Sequence, residues 1–289
     1  MPRNLGLAAT AICLFGIHPA NAQTAKAKWA VDGTGAFCTL SRTVEEGPAT
    51  ASAPATSPPT TLILRTYPGT QVFNFMVIRG TIPGALGPTA TMSISFAPSG
   101  GPFVKPVSLL LLGAGVGKAL AVDYLSPDFL ESFAGAAQVN VAIGKKAIGS
   151  YAIPNAAKAV DAFRKCESAK LIEWGADAAA FEPGGRPPVP IGDSGKWIGY
   201  DDLHLSRGDM RSFTGFAVAQ LTIATDGHVE ACSLLDSNRN HTLDAIACKL
   251  LSERARYEPA RDKDDKPVRS IALYRAQLTV VNTVTWEKF

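Results

Sequence analysis

The chain has 289 residues, with 28 basic against 25 acidic side chains and a formal net charge of +3 at neutral pH. So small an excess argues against a surface built for nucleic acid or for an anionic membrane. Hydrophobic residues make up 46% of the chain, enough to fill a core, so the composition is not that of a disordered protein.

The first residues are patterned like a secretory signal. Arg3 supplies positive charge, residues 5–17 form a short apolar run, and Ala20-Asn21-Ala22 matches an A-x-A cleavage signature. The run is about 13 residues, short of the roughly 20 needed to span a bilayer. The competing reading is an uncleaved anchor, interrupted by Gly16, His18 and Pro19. Cleavage between Ala22 and Gln23 is the expectation, giving a periplasmic protein of 267 residues with a net charge of +2, since Arg3 leaves with the signal. Later in the chain, residues 107–122 come closest to a span, but Gly113, Gly115, Gly117 and Lys118 break them up. No membrane span is expected in the mature chain.

Cysteine usage agrees with export. Cys13 falls within the signal, leaving Cys38, Cys166, Cys232 and Cys248, an even number suited to an oxidising compartment. Three connectivities are possible. The spacing suggests one bridge in each half, Cys38 to Cys166 and Cys232 to Cys248, against the alternative of four separate buried thiols. No Cys-x-x-Cys occurs, so neither a zinc ribbon nor a thioredoxin-like site is encoded.

In chain order, residues 23–177 read as a β-rich module. Residues 61–66, 71–79, 91–96 and 107–112 have strand composition and are separated by Pro/Gly turns, while residues 47–60 read as a long loop. Ser126-Pro127-Asp128 starts a helix with a cap, a proline at the first position and an acid. Phe129, Leu130, Phe133 and Ala137 share its apolar face. A second helix begins at Asn155, with Ala156, Val160 and Phe163 on one face and Cys166 continuing it towards the core. Cys38, on an early strand, is a partner that could meet it there. Such a bridge closes a loop of more than 100 residues and stabilises by about 4–5 kcal/mol in the chain-entropy model.

Residues 178–195, rich in Pro, Gly and Ala, read as a linker that could reach roughly 60 Å at about 3.5 Å per residue. Residues 196–289 follow as a second unit. Residues 216–224 are a strand, Asp226-Gly227 a hairpin turn and residues 228–235 the return strand. A helix over 242–254 places Leu243, Ile246, Ala247, Leu250 and Leu251 on one face. Residues 256–259 and 268–281 supply further strands across the charged turn 262–265. The fold class expected is α+β, with the second unit a β-hairpin, a helix and a β-hairpin.

At these residues the second unit resembles the TonB C-terminal domain. The marks are Thr225-Asp226-Gly227-His228-Val229, Leu243-Asp244-Ala245-Ile246, Tyr257-Glu258-Pro259-Ala260 and Lys266-Pro267-Val268, in the family's order, over residues 196–281. They are residues that determine a fold more than an activity. Proteins with such a domain and cysteines at both Cys232 and Cys248 look like an exported subgroup, and that bridge, closing about 15 residues, is worth roughly 3 kcal/mol. The resemblance implies binding of a protein partner in the periplasm or outer membrane, where an extended peptide adds to an edge strand, with 268–281 the candidate edge. A link to outer-membrane transport would follow. Energy coupling does not, because the family's transducers keep a membrane helix and a long Pro-rich spacer. The first module more loosely resembles the invasion-associated locus B type, through Trp29 and Cys38, then Phe129-Leu130, Phe133-Ala134 and the helix leading to Cys166. The alternative function is a secreted stress- or host-interaction factor whose first module is the active part.

No catalytic residue, metal site or cofactor is assigned. Gly192-Asp193-Ser194-Gly195 imitates a trypsin-like nucleophile, but the only histidine before Ser194 is His18, within the signal. The run 113–118 imitates a phosphate loop, with Leu112 and Ala119 where glycine and a hydroxyl are needed. Asp201, Asp202, His204 and Asp209 lack metal-ligand spacing, and His228 and His241 read as solvated. The charges over 261–266 alternate in sign, as on an exposed hairpin. A binding protein is therefore expected rather than an enzyme. The oligomeric state is not legible.

Overall fold

The computed structural model describes residues 28–44, 59–80, 82, 86–98, 100–112, 117–199, 202, 214–237 and 241–279. The expected cleavage site at Ala22 and Gln23, and most of the loop 47–60, lie outside them.

The chain starts with β1 (Ala30–Asp32), β2 (Cys38–Val44), β3 (Thr60–Thr66), β4 (Phe73–Arg79), β5 (Thr91–Ala97), β6 (Phe103–Pro106), β7 (Ser108–Leu112) and β8 (Gly117–Leu125). Then come α1 (Pro127–Ala134), β9 (Gln138–Ile143), β10 (Lys146–Ala152) and α2 (Ala156–Glu173). Two antiparallel sheets result, ordered β1-β2-β3-β4-β8-β7 and β10-β9-β5-β6. Strands β3 and β5 alternate strictly between buried and half-buried residues, as period-two sequences must when one face meets a core. That core is shared by both sheets and both helices. Leu64, Phe75 and Val122 meet Ile94, Phe96 and Val141, with Phe129 and Phe133 of α1 and Val160 and Phe163 of α2. The ring of Phe129 lies 5.2 Å from both Phe96 and Phe103 and 5.6 Å from Phe75.

The strands β8, β9 and β10 fall where the sequence alone singles out none. Gly144 and Lys145 turn the β9–β10 hairpin, and a bulge between Ala147 and Gly149 interrupts its alternation. The run 107–122 that came nearest to a membrane span includes β7 and the first part of β8, which pair with each other. Among the described residues no helix is long and apolar enough to cross a membrane.

The second unit contains β11 (Val189–Pro190), β12 (Thr214–Ile223), β13 (Val229–Ser237), α3 (His241–Arg254), β14 (Tyr257–Glu258), β15 (Ala260–Arg261), β16 (Pro267–Val268) and β17 (Ser270–Thr279). Gly227 turns the β12–β13 hairpin with φ +86°, and a Cβ there would sit 1.9 Å from the Tyr257 carbonyl oxygen, so only glycine fits. The last hairpin departs from expectation. β16 pairs only with the two residues of β15, and the chain breaks at Arg269. β17 instead pairs over its whole length with β12, giving a sheet ordered β13-β12-β17. A ten-residue strand satisfies far more backbone groups against a partner of equal length than against a two-residue one. Overall the molecule is α+β, mostly sheet, with three helices among the described residues.

Two disulfides staple the two units separately. Cys38 on β2 joins Cys166 on α2, and Cys232 on β13 joins Cys248 on α3. Both join a helix to a sheet strand.

Candidate functional site

The segment read as a linker is held along most of its length. The side chain of Asp177 caps a 3-10 turn at Ala178–Phe181 by accepting from the Ala179 N–H. Arg186 and Arg261 exchange two backbone hydrogen bonds of 2.8 and 2.9 Å. β11 pairs with β14, and the Ile191 N–H donates to the Arg256 carbonyl. Proline cannot donate, so Pro187, Pro188 and Pro190 suit an extended strap that pairs on one side only. The trypsin-like tetrad lies at its end, where the Asp193 carboxylate accepts from the Gly195 N–H and the Ser194 carbonyl accepts from the Tyr274 hydroxyl.

The three-stranded sheet is covered on both faces. Ala219, Leu221, Ile223 and Tyr274 pack on one side with Leu250 and Leu251 of α3, Trp197 and Tyr257. On the other, Ile271 and Leu273 meet Leu171, Trp174 and Ala176 at the end of α2, and Phe181. Polar contacts also cross this junction. The Tyr67 hydroxyl donates to the Asp236 carboxylate at 2.8 Å, the Asp177 N–H donates to the Arg269 carbonyl, and the Arg275 guanidinium lies 4.7 Å from the Tyr124 ring centroid. Burial, and then the bond to Asp236, push the Tyr67 hydroxyl well above the usual phenol range. Burial also raises the Asp123 carboxyl, and the nearby Arg275 opposes it.

A cleft of about 310 Å³ opens between these parts. Its walls are the loop Gly69 to Gln71, Leu171, the proline strap and the aromatic side chains of Phe181, Trp197, Tyr257 and Tyr274. All six residues from Ser270 to Arg275 of β17 border it. Successive side chains of a strand point to opposite faces, so a space bordered by six in a row lies along the strand's edge. Among the described residues no strand pairs with that edge. Beside it is a hollow of about 10 Å³, lined by Phe37, Arg65 and Asn74 of the first unit together with Arg275. The arrangement offers backbone donors and acceptors in an apolar, aromatic trough with cationic groups at one end.

The residues singled out in the sequence are not brought together here. The four cysteines are consumed in the disulfides. Asp202 accepts two bonds of 2.7 Å from Arg254 and so serves an ion pair. Asp201, His204 and Asp209 lie outside the described residues, as do residues 113–116 of the phosphate-loop imitation. His228 is exposed and lies 3.3 Å from the Asp226 carboxylate. Among the described residues no three His, Cys, Asp or Glu side chains are grouped as a metal site would need. The lining from the first unit, Gly69 to Gln71, Arg65 and Leu171, carried no sequence signal of a site, because no motif marks these residues and they come from three separate segments. Comparison of the chain with protein-family models, with curated proteins and with solved structures finds no match.

Proposed function

We propose that this is an exported, periplasmic binding protein that receives an extended peptide of a protein partner along the free edge of β17. The observation that carries the reading is the cleft bordered by Ser270 to Arg275, where an incoming strand meets unpaired backbone groups and an aromatic trough together. Edge-strand addition draws affinity from main-chain hydrogen bonds and specificity from alternate side chains. The resemblance of 196–281 to the TonB C-terminal domain supports the same mode, and would tie the partner to the periplasm or outer membrane. The two disulfides fit an oxidising compartment.

The test uses the disulfide-intact chain and capped β-prone hexapeptides of alternating Thr and Val. Hydrogen exchange should slow at β17 amides on binding, and peptides N-methylated at alternate residues should lose at least tenfold in affinity. Leu273→Pro should weaken binding, whereas Ser252→Glu, on the exposed side of α3, should leave it unchanged. Protection confined to the first unit's sheets would move the site there and favour the alternative, an active first module.

A further inference from the structure

We infer that β7 is a self-pairing edge, along which a second copy of this chain adds antiparallel across a two-fold axis at Leu110. The inference is independent of the cleft along β17.

The three larger sheets have six edge strands, and five of them carry a feature that discourages pairing or shields the edge. β1 is three residues long and includes Asp32. β6 carries Lys105 and Pro106. β10 carries Lys146 and the bulge between Ala147 and Gly149. β13 carries Glu230 and Asp236, with two register shifts against β12. β17 carries Arg275 and lies within the cleft walls. β7 is the exception. Ser108-Leu109-Leu110-Leu111-Leu112 has no charge, no proline and an unbroken register with β8. No charged residue occurs from 106 to 117. Among the described residues nothing pairs with its other side.

Successive side chains of a strand face opposite sides of a sheet, yet Leu109, Leu110 and Leu111 are all exposed, Leu111 by 77%. Apolar surface on both sides of an edge fits two occupants, a lipid surface or another strand. Hydrocarbon offers nothing to the unpaired N–H and C=O groups along β7, and open sheet edges do not occur there. An added strand satisfies those groups and covers both faces at once.

The strand's own sequence meets that requirement. With Leu110 on the axis, Leu110 faces its own counterpart, Leu109 faces Leu111 and Ser108 faces Leu112 across the seam. Each contact off the axis occurs twice, as in any isologous interface. On β8, Lys118 stands opposite Leu111, so the two copies' Lys118 side chains are three strand spacings apart. That is about 14 Å or more, beyond the screening length of about 8 Å at physiological salt. Five residues of edge bury less than the ~800 Å² per partner of a standard interface, so the dimer forms reversibly, at micromolar concentrations.

The experiment follows sedimentation velocity of the disulfide-intact chain from about 1 to about 500 µM, a range that brackets a micromolar Kd. The chain should pass from monomer to dimer, and alternate β7 amides should slow in hydrogen exchange as concentration rises. Leu110→Lys and Leu110→Asp should each weaken the dimer at least tenfold, because like charges meet on the axis. An equimolar mixture of the two variants should recover association to within threefold of the parent chain. Leu110 is 42% exposed, so both variants should keep the parent's near-ultraviolet circular dichroism, which certifies the fold. A chain monomeric throughout the range overturns the inference, as does a dimer indifferent to both variants. Weakening without recovery in the mixture overturns the two-fold pairing. Co-sedimentation of the monomer with phosphatidylglycerol vesicles, lost in Leu110→Asp, would make a membrane the occupant and overturn the second copy.

Discussion

The two units hold helix against sheet with unequal resources. The first has two sheets, two helices and a core in which Phe75, Phe129, Phe133 and Phe163 are wholly buried. The second has one three-stranded sheet, two short two-stranded pairs and one helix, with Leu221, Ile223 and Leu251 at its centre. Its remaining sheet face is closed by the first unit and its edge by nothing in the described chain. A small sheet that borrows half its burial from a neighbour keeps a free edge in a fixed cleft. An isolated one would have to protect that edge.

The disulfides should separate the units most strongly. Cys38→Ser with Cys166→Ser opens a sequence separation of 128 and should cost roughly 5 kcal/mol in the chain-entropy model; Cys232→Ser with Cys248→Ser opens 16 and should cost roughly 3. Urea unfolding followed by near-ultraviolet circular dichroism gives both numbers, and equal costs would mean that strain or residual structure, not loop length, sets them.

Core truncation comes next. Phe129→Ala removes a fully buried ring at the centre of the first core and should cost about 4 kcal/mol, whereas Leu251→Ala should cost about 3. If the units unfold independently, each change should lower only its own transition in calorimetry. A single shared shift would show the junction to be stronger than either core alone.

Glu167 gives the first unit a pH dependence of its own. Burial pushes its carboxyl up to about 7, against the opposing Gly69 N–H and Arg164. A carboxyl raised from its unfolded value of about 4.3 contributes fully below that value, and the contribution is lost as pH rises through the folded one. The first unit should therefore be less stable at pH 8 than at pH 5, by on the order of 2 kcal/mol once partial exposure is allowed for. Glu167→Gln should flatten that slope. Gly69 borders the cleft, so the same titration should be read in peptide affinity as well.

The smallest effect is expected at the junction itself. Tyr67→Phe removes one hydroxyl bond to Asp236 and should cost about 1.5 kcal/mol, felt by the second unit. Hydrogen exchange that rises in β13 and β17 but not in β5 or β9 would locate the loss there. Uniform change would mean that the bond matters to neither unit in particular.

Much of this was legible locally. Ser126-Pro127-Asp128 starts α1, Asp226-Gly227 turns the β12–β13 hairpin, and the run from Ala156 to Cys166 shows which face of α2 meets the core. Each is a short-range rule in which the residue itself carries the constraint. The β9–β10 hairpin was hidden because a bulge at Gly149 breaks its alternation and its turn, Gly144-Lys145, is not a strong hairpin pair. The strap reads as a free linker for a similar reason. Pro187, Pro188 and Pro190 show no periodicity, yet an extended chain needs none in order to pair with β14.

By itself the sequence determined the three helices, the β12–β13 hairpin, several strands of the first unit, the spacing of four cysteines and the long last strand, since periodicity, capping and turn chemistry act within a few residues. Only the tertiary structure decided that β17 pairs with β12 and ends the sheet, that the strap and the end of α2 wall a cleft along its free edge, and that Arg65 and Arg275 line one hollow. Residues 210 positions apart are brought together by burial of two sheet faces at once, a collective gain that no local pattern records.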